Sequence, residues 1–279
     1  MCFLDCSPDI KKHVERSFVI DKGGMDTSPL MRAPAEVRMM IYDYLFDDGG
    51  NKQLRIQNAG PGKLEKTDGR RRTKYYVLER SFHRRCYATT YQLDTEGVSF
   101  CAPLMRVNKK IYEETAYIVY GGHTFDFGSH IEAVEPFLSD LTPPSRQLIR
   151  EISLYKRGPV PPYDYDRSEW RNVCRFLQNH ASIRKLRLMV QGGRPNTTWD
   201  GPKEFTVDDL KLLFEIKHES LDWVGELIRV KGIEELEILP DVQYCPPPSS
   251  TNMIIFAALS ASIERGLTEF LRTQLRLPS

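Results

Sequence analysis

The sequence predicts an α+β protein: a small N-terminal helical unit with a β-hairpin insertion, then a region of alternating strands and helices whose strands run parallel. Three observations predict it. An amphipathic helix opens at Pro34 and stops at Asp47, Asp48, Gly49 and Gly50. A basic, tyrosine-rich stretch then interrupts the helical pattern between residues 47 and 102. Further on, "LIREISLYKR" (148–157), "SIRKLRLMV" (182–190) and "GIEELEILP" (232–240) share one form, an Ile, two polar residues, then alternating faces.

Taken in order, residues 1–27 mix charges around "DKGGMDTSP" without a sustained period, and read as a disordered extension. The unit at 28–142 begins with "APAEVRMMIYDYLF" (33–46). Pro34 suits a first helical position, where its missing N–H costs nothing, and Glu36 suits the positive end of the helix dipole. Val37, Met40, Ile41, Tyr44 and Leu45 recur at three- and four-residue steps, giving one apolar stripe. Ala33 is a poor N-cap, so packing must hold this helix. Ile41 and Leu45 are expected to pack inward on the next helix. Pro34, Val37 and Met40 are expected to face a partner.

In the insertion, "KQLRIQN" and "KYYVLER" have strand character, separated by the turn chemistry of "NAGPG". From Lys63 to Arg85 nine basic residues face three acidic ones, a local net of +6. Arg70, Arg71, Arg72, Lys74 and Tyr75 form a candidate nucleic-acid contact, with arginines for phosphates and rings for bases. The plainer reading is a solvated hairpin whose charges discourage edge-to-edge aggregation. In "PLMRVNKKIYEETAYIVYGGHTFDF" (103–127), Leu104, Val107, Ile111, Thr115 and Ile118 share a helical face. Pro103 is expected to open that helix and Gly121–Gly122 to end it in a left-handed turn. "HTFDF" reads as a short strand with Asp126 on its solvent face, and a helix follows from Ser129 with Pro136 as its weak point.

The region at 143–279 carries the three repeated strands, each about six residues long. They are separated by amphipathic helices at 168–181, 206–230 (broken) and 252–275. Strand–helix repetition implies parallel strands joined by right-handed crossovers. The strand starts Ile149, Ile183 and Ile233 are too unevenly spaced for a strict solenoid but suit a degenerate leucine-rich-repeat-like stack. "GPVPPYDYD" and "PDVQYCPPPSS" read as surface loops.

Charge balance, with 39 Lys and Arg against 38 Asp and Glu, argues against duplex DNA or an anionic membrane as an electrostatic partner of the whole chain. No apolar run is long enough to span a bilayer, and the opening "MCFLDC" is too short for a secretory signal, so a cytoplasmic or nuclear protein is expected. No phosphate loop, dinucleotide fingerprint, nucleophile elbow or H-E-x-x-H appears. The six Cys and six His are dispersed, and His83 with Cys86 supply only half of a zinc site. The acid pairs Glu113–Glu114 and Asp208–Asp209 suit the first turns of helices. No catalytic residue, cofactor or metal site is expected, and the chain is not read as an enzyme.

Two blocks, "LMRAPAEVRMMIYDYLF" (30–46) and "LMRVNKKIYEETAYIVYGGHTFDF" (104–127), resemble the fungal F-box-like proteins. The family's Pro-x-Glu-Val-Arg falls on Pro34, Glu36, Val37 and Arg38, and its first Ile-Tyr on Ile41 and Tyr42. Leu104, Arg106 and Val107, then Ile111, Tyr112 and Glu114, then Thr124, Phe125 and Phe127 match the second block. Ala33 stands in place of a leucine, Asn108 of a cysteine and His123 of an asparagine. The resemblance implies a protein–protein interaction module: a substrate receptor of a ubiquitin ligase whose first helix binds a Skp1-like adaptor through Pro34, Val37, Met40, Ile41 and Leu45. The alternatives are a scaffold that has lost that adaptor and an RNA-associated protein using the basic insertion.

Overall fold

A computed structural model describes residues 28–46, 52–59, 75–78, 85–93, 102–158, 164–195 and 204–277. Arg70, Arg71, Arg72, Lys74 and the extension at 1–27 lie outside the described residues. The chain is α+β, built on one seven-stranded, mostly parallel sheet.

The elements follow in chain order. α1 (Pro29–Arg32) is a single turn, and α2 (Ala35–Phe46) is the helix predicted from the apolar stripe. β1 (Gln53–Ala59), β2 (Tyr75–Leu78) and β3 (Arg85–Leu93) come from the insertion. A 3-10 turn (Ala102–Arg106) leads to α3 (Lys109–Gly122) and β4 (Thr124–Asp126). A second 3-10 turn (Ile131–Ala133) is followed by α4 (Val134–Asp140), α5 (Pro143–Leu148), β5 (Glu151–Lys156) and α6 (Asp164–His180). Next come β6 (Lys185–Pro195), α7 (Val207–Glu215), a 3-10 turn (Glu219–Leu221) and α8 (Asp222–Leu227). β7 (Glu235–Cys245), α9 (Thr251–Ala261), a π turn (Ile263–Leu267) and α10 (Thr268–Leu275) complete the described chain.

The sheet order is β2-β3-β1-β4-β5-β6-β7. The last five strands in that order are parallel and are added in chain order, while β3 pairs antiparallel with β1 and β2 pairs antiparallel with β3. β1 is therefore not only a hairpin strand: it pairs with β4, some 70 residues on, as well as with β3. β4 in turn pairs with β5, so residues before and after 142 share one sheet.

The expected alternation holds in β5, β6 and β7. Leu54, Phe125, Ile152, Leu186 and Leu236 stand in one register row, and Leu154, Leu188 and Ile238 in another, all buried. Beneath β4, Phe137 of α4 is the hub of an aromatic cluster, with ring centroids 5.2 Å from Phe125, 5.8 Å from Phe127 and 5.3 Å from Tyr91. This explains Thr-Phe-x-Phe: Phe125 of β4 and Phe127 just past its end both bury their rings in this cluster. Pro136 is buried in the first turn of α4, where no intrahelical N–H is needed, and is not a weak point.

Other local expectations are corrected. α3 begins at Lys109 rather than Pro103, because the Asn108 side chain accepts from Ile111 N at 2.8 Å and caps it. Gly121 and Gly122 end α3 without a left-handed turn, since His123 is extended with φ −117°. Asp126 is buried rather than solvated: Arg55 Nε pairs with it at 3.2 Å, and Gly128 N donates to it at 3.0 Å. β6 and β7 run for 11 residues, not six, so Asp241–Cys245 continue a strand where a loop was expected. Gly193 lies in that extension. A Cβ there would stand 2.4 Å from the Phe256 ring of α9, so glycine leaves the room in which that ring lies against the strand.

Candidate partner-binding surface

α2 sorts its residues in a way the apolar pattern alone does not reveal. Arg38, Tyr42 and Phe46, spaced by four, are its buried residues. Arg38 grips Glu114 of α3 with two bonds, Nε to Oε2 at 3.0 Å and Nη2 to Oε1 at 2.5 Å. Its third nitrogen, Nη1, donates to the Ala33 carbonyl at 2.6 Å. The Tyr42 hydroxyl donates to Glu114 Oε2 at 3.1 Å. A bidentate arginine–carboxylate pair fixes orientation as well as distance, so this triad sets α2 at one rotation against α3. The hydrogen bonds from Arg38 hold the Glu114 carboxyl below its usual range, against the opposing effect of burial. The Arg-x-x-x-Tyr of one block and the Glu of Tyr-x-Glu in the other thus form one interaction, while Tyr112 itself bonds the Ser145 hydroxyl at 2.6 Å. Glu114 serves as this anchor and not as a first-turn dipole partner. Asp209, by contrast, does close a capping box with Thr206.

Because Arg38, Tyr42 and Phe46 take the inner face, the apolar residues fall outside. Pro34 is exposed, Val37 is 43% exposed, Met40 71%, Ile41 38% and Tyr44 83%. Leu45 is half-buried. The expectation that Ile41 packs inward is corrected, and Val107 is likewise exposed, while Ile111 is buried as expected. Pro34, Val37, Met40 and Ile41 lie together along one exposed stripe, which Tyr44 extends.

Asn108, His123 and Ala33 each have a local role. Asn108 caps α3. The His123 ring nitrogen Nδ1 faces the carbonyls of Val119 at 3.1 Å and Ile118 at 3.3 Å. Burial lowers its pKa, while those carbonyls and that of Phe46 oppose the shift. Ala33 contributes its backbone carbonyl to Arg38, a role independent of its side chain.

Two further features escaped sequence reading. Lys156, at the end of β5, is buried in an ion pair with Asp166, donates to the Arg157 carbonyl at 3.0 Å, and lies 5.7 Å from the Trp170 ring. It lines a cavity of about 260 Å³ between α6 and α8, whose mouth is laced by Arg167–Asp222 at 3.3 Å and Arg171–Glu226 at 3.2 Å. The second feature is the polar face of the sheet. Rows in register there carry Thr124, Glu151, Lys185 and Glu235, then Arg55, Asp126, Ser153, Arg187 and Glu237. A shallow pocket of about 250 Å³ opens on it around Asp126, His130, Tyr155 and Met189. Among the described residues, no group of three or more His, Cys, Asp or Glu side chains could hold a metal ion. Nor is any described helix long and apolar enough to cross a membrane.

The fold and these surfaces define an α+β protein with a mostly parallel sheet and an apolar helix face turned to solvent. Residues 24–218 match the model of a domain of unknown function, DUF7730, and the chain belongs to that family. Neither a curated protein nor a solved structure matches it. The matched stretch contains the Arg38–Tyr42–Glu114 triad, the exposed face of α2 and strands β1 to β6. β7, α9 and α10 follow it.

Proposed function

We propose that this chain is a non-catalytic, F-box-like interaction protein of the cytoplasm or nucleus. In this reading α2 docks on a Skp1-like adaptor of a ubiquitin ligase, and the leucine-rich-repeat-like strand–helix region presents a surface to a protein substrate. The observation that carries the reading is the exposed stripe of Pro34, Val37, Met40 and Ile41. An apolar helix face that the core does not use is the feature that helix-in-groove recognition requires. The triad behind it supports the reading by fixing α2 without those residues. The parallel strands, added one beside the next in chain order, suit a repeat stack.

The test is Val37→Glu, scored for adaptor co-purification and for thermal stability. A glutamate placed in a desolvated contact costs about 2 kcal/mol of binding or more. At an exposed position it changes folding by no more than about 0.5 kcal/mol. Retention of Skp1 by the variant overturns the docking site. Absence of Skp1 from the wild-type protein moves the reading to a scaffold that has lost its adaptor. Transfer of the protein's RNA cross-links to Arg70, Arg71, Arg72 and Lys74 favours the RNA-associated alternative.

A further inference from the structure

We infer that the outer edge of β7 is a strand-addition site for an extended, basic peptide segment of a partner protein. This stands independently of what α2 binds.

The two ends of the parallel sheet are finished differently. Beyond β1 the sheet is continued by antiparallel β3 and then β2; beyond β7, no strand follows among the described residues. Glu235 N donates to the Arg184 carbonyl at 2.9 Å, so the backbone of Glu235 faces β6. Parallel pairing alternates, which turns the N–H and C=O of Leu236 and Ile238 toward the open edge. Pro240 takes the next outward-facing position, where its missing N–H breaks no ladder bond. The edge therefore offers its donors at Leu236 and Ile238, enough to align a short strand. Across from it stand Thr268, Arg272 and Leu277, leaving a groove of about 690 Å³.

Charge selects the occupant. Along the polar face of the sheet one register row runs Glu151, Lys185, Glu235, alternating in sign. The next row brings Arg187 beside Glu237, 2.8 Å apart. A strand added beside β7 would set its own side chains against Glu235 and Glu237, and the alternation continues only if those are basic. Lys185 reaches Glu235 Oε2 at 3.3 Å, yet that glutamate side chain remains 68% exposed, and a carboxylate accepts more than one donor. Glu234 and Glu264 add further negative charge to the groove, against Lys185 and Arg272. A second copy of the same edge, paired about a two-fold axis at Leu236–Ile238, would set Glu237 against its own copy and Glu235 against Leu239, and is disfavoured. The fitting segment has basic residues at alternate positions and apolar residues between them, facing the helix side and Leu277.

The test uses the full chain and three labelled eight-residue peptides, followed by fluorescence anisotropy. One alternates Lys and Val, one alternates Glu and Val, and one is the Lys–Val peptide N-methylated at alternate amides. The Lys–Val peptide is expected to bind saturably, while the Glu–Val and N-methylated peptides are not. The double variant Glu235→Lys/Glu237→Lys should weaken Lys–Val binding by about tenfold and confer binding of Glu–Val. Equal binding of the N-methylated peptide overturns the proposal, because a nonspecific electrostatic contact would not read the backbone. So does an unchanged affinity in the double variant, or no binding by wild type. If the double variant does not fold, the comparison of peptides on the wild-type chain still decides.

Discussion

Replacing Tyr42 by Phe isolates one bond of the triad that orients α2. Tyr42 is fully buried, and its hydroxyl donates to Glu114 Oε2 over 3.1 Å. A hydrogen bond to a charged acceptor contributes about 1.5–3 kcal/mol. Two features place this one at the low end. The distance exceeds the usual O–H···O separation of about 2.7–2.8 Å. Arg38 also keeps both Glu114 oxygens bonded when the hydroxyl is gone, so no buried charge is orphaned. The ring itself stays, so no cavity opens. The expected loss is about 1–1.5 kcal/mol, read as a lower urea midpoint with an unchanged slope. Tyr44→Phe, 83% exposed on the opposite face, is the control and should stay within about 0.5 kcal/mol. In a double-mutant cycle with Glu114→Gln, a coupling near 1 kcal/mol is expected, because both single changes weaken the same bond. A Tyr42→Phe cost no larger than that of Tyr44→Phe, or a coupling near zero, would refute the assignment of Tyr42 and Glu114 as the fixed inner face.

Gly193→Ala should destabilise by about 1–3 kcal/mol through overpacking, since the added Cβ meets the Phe256 ring at 2.4 Å. Adding Phe256→Leu should recover part of that loss in the same denaturation assay. His123 gives a pH signature. Burial favours its neutral form in the fold, so its contribution to stability is complete above the unfolded value of about 6.5 and is lost as pH falls below it. His123→Asn, which removes the titrating group, should flatten the decline of unfolding free energy below that pH. An unchanged decline would mean that another group drives it.

How much of this was legible in the sequence depends on how far away each residue's partner lies. β5, β6 and β7 were readable because their buried rows are written locally, as apolar residues at every second position from Ile152, Leu186 and Leu236. The broken helix at 206–230 was readable for the same reason. β1 was read as half of a hairpin because its parallel partner, β4, comes from a distant segment. Lys156 could not be placed inside, because what admits a lysine there is Asp166 and the Trp170 face, brought together only by the fold. α2 is the sharpest instance. Sorting its residues by hydropathy put Ile41 and Leu45 in the core and left Arg38 unassigned. The fold does the reverse, because Glu114, 76 residues away, pairs with the guanidinium and lets Arg38 and Tyr42 line the inner face. Once those two and Phe46 account for the packing of α2, the exposed Val37, Met40 and Ile41 are apolar residues the core does not use. The sequence could therefore locate the candidate surface to one helix. Choosing its face required knowing which polar residues the core accepts.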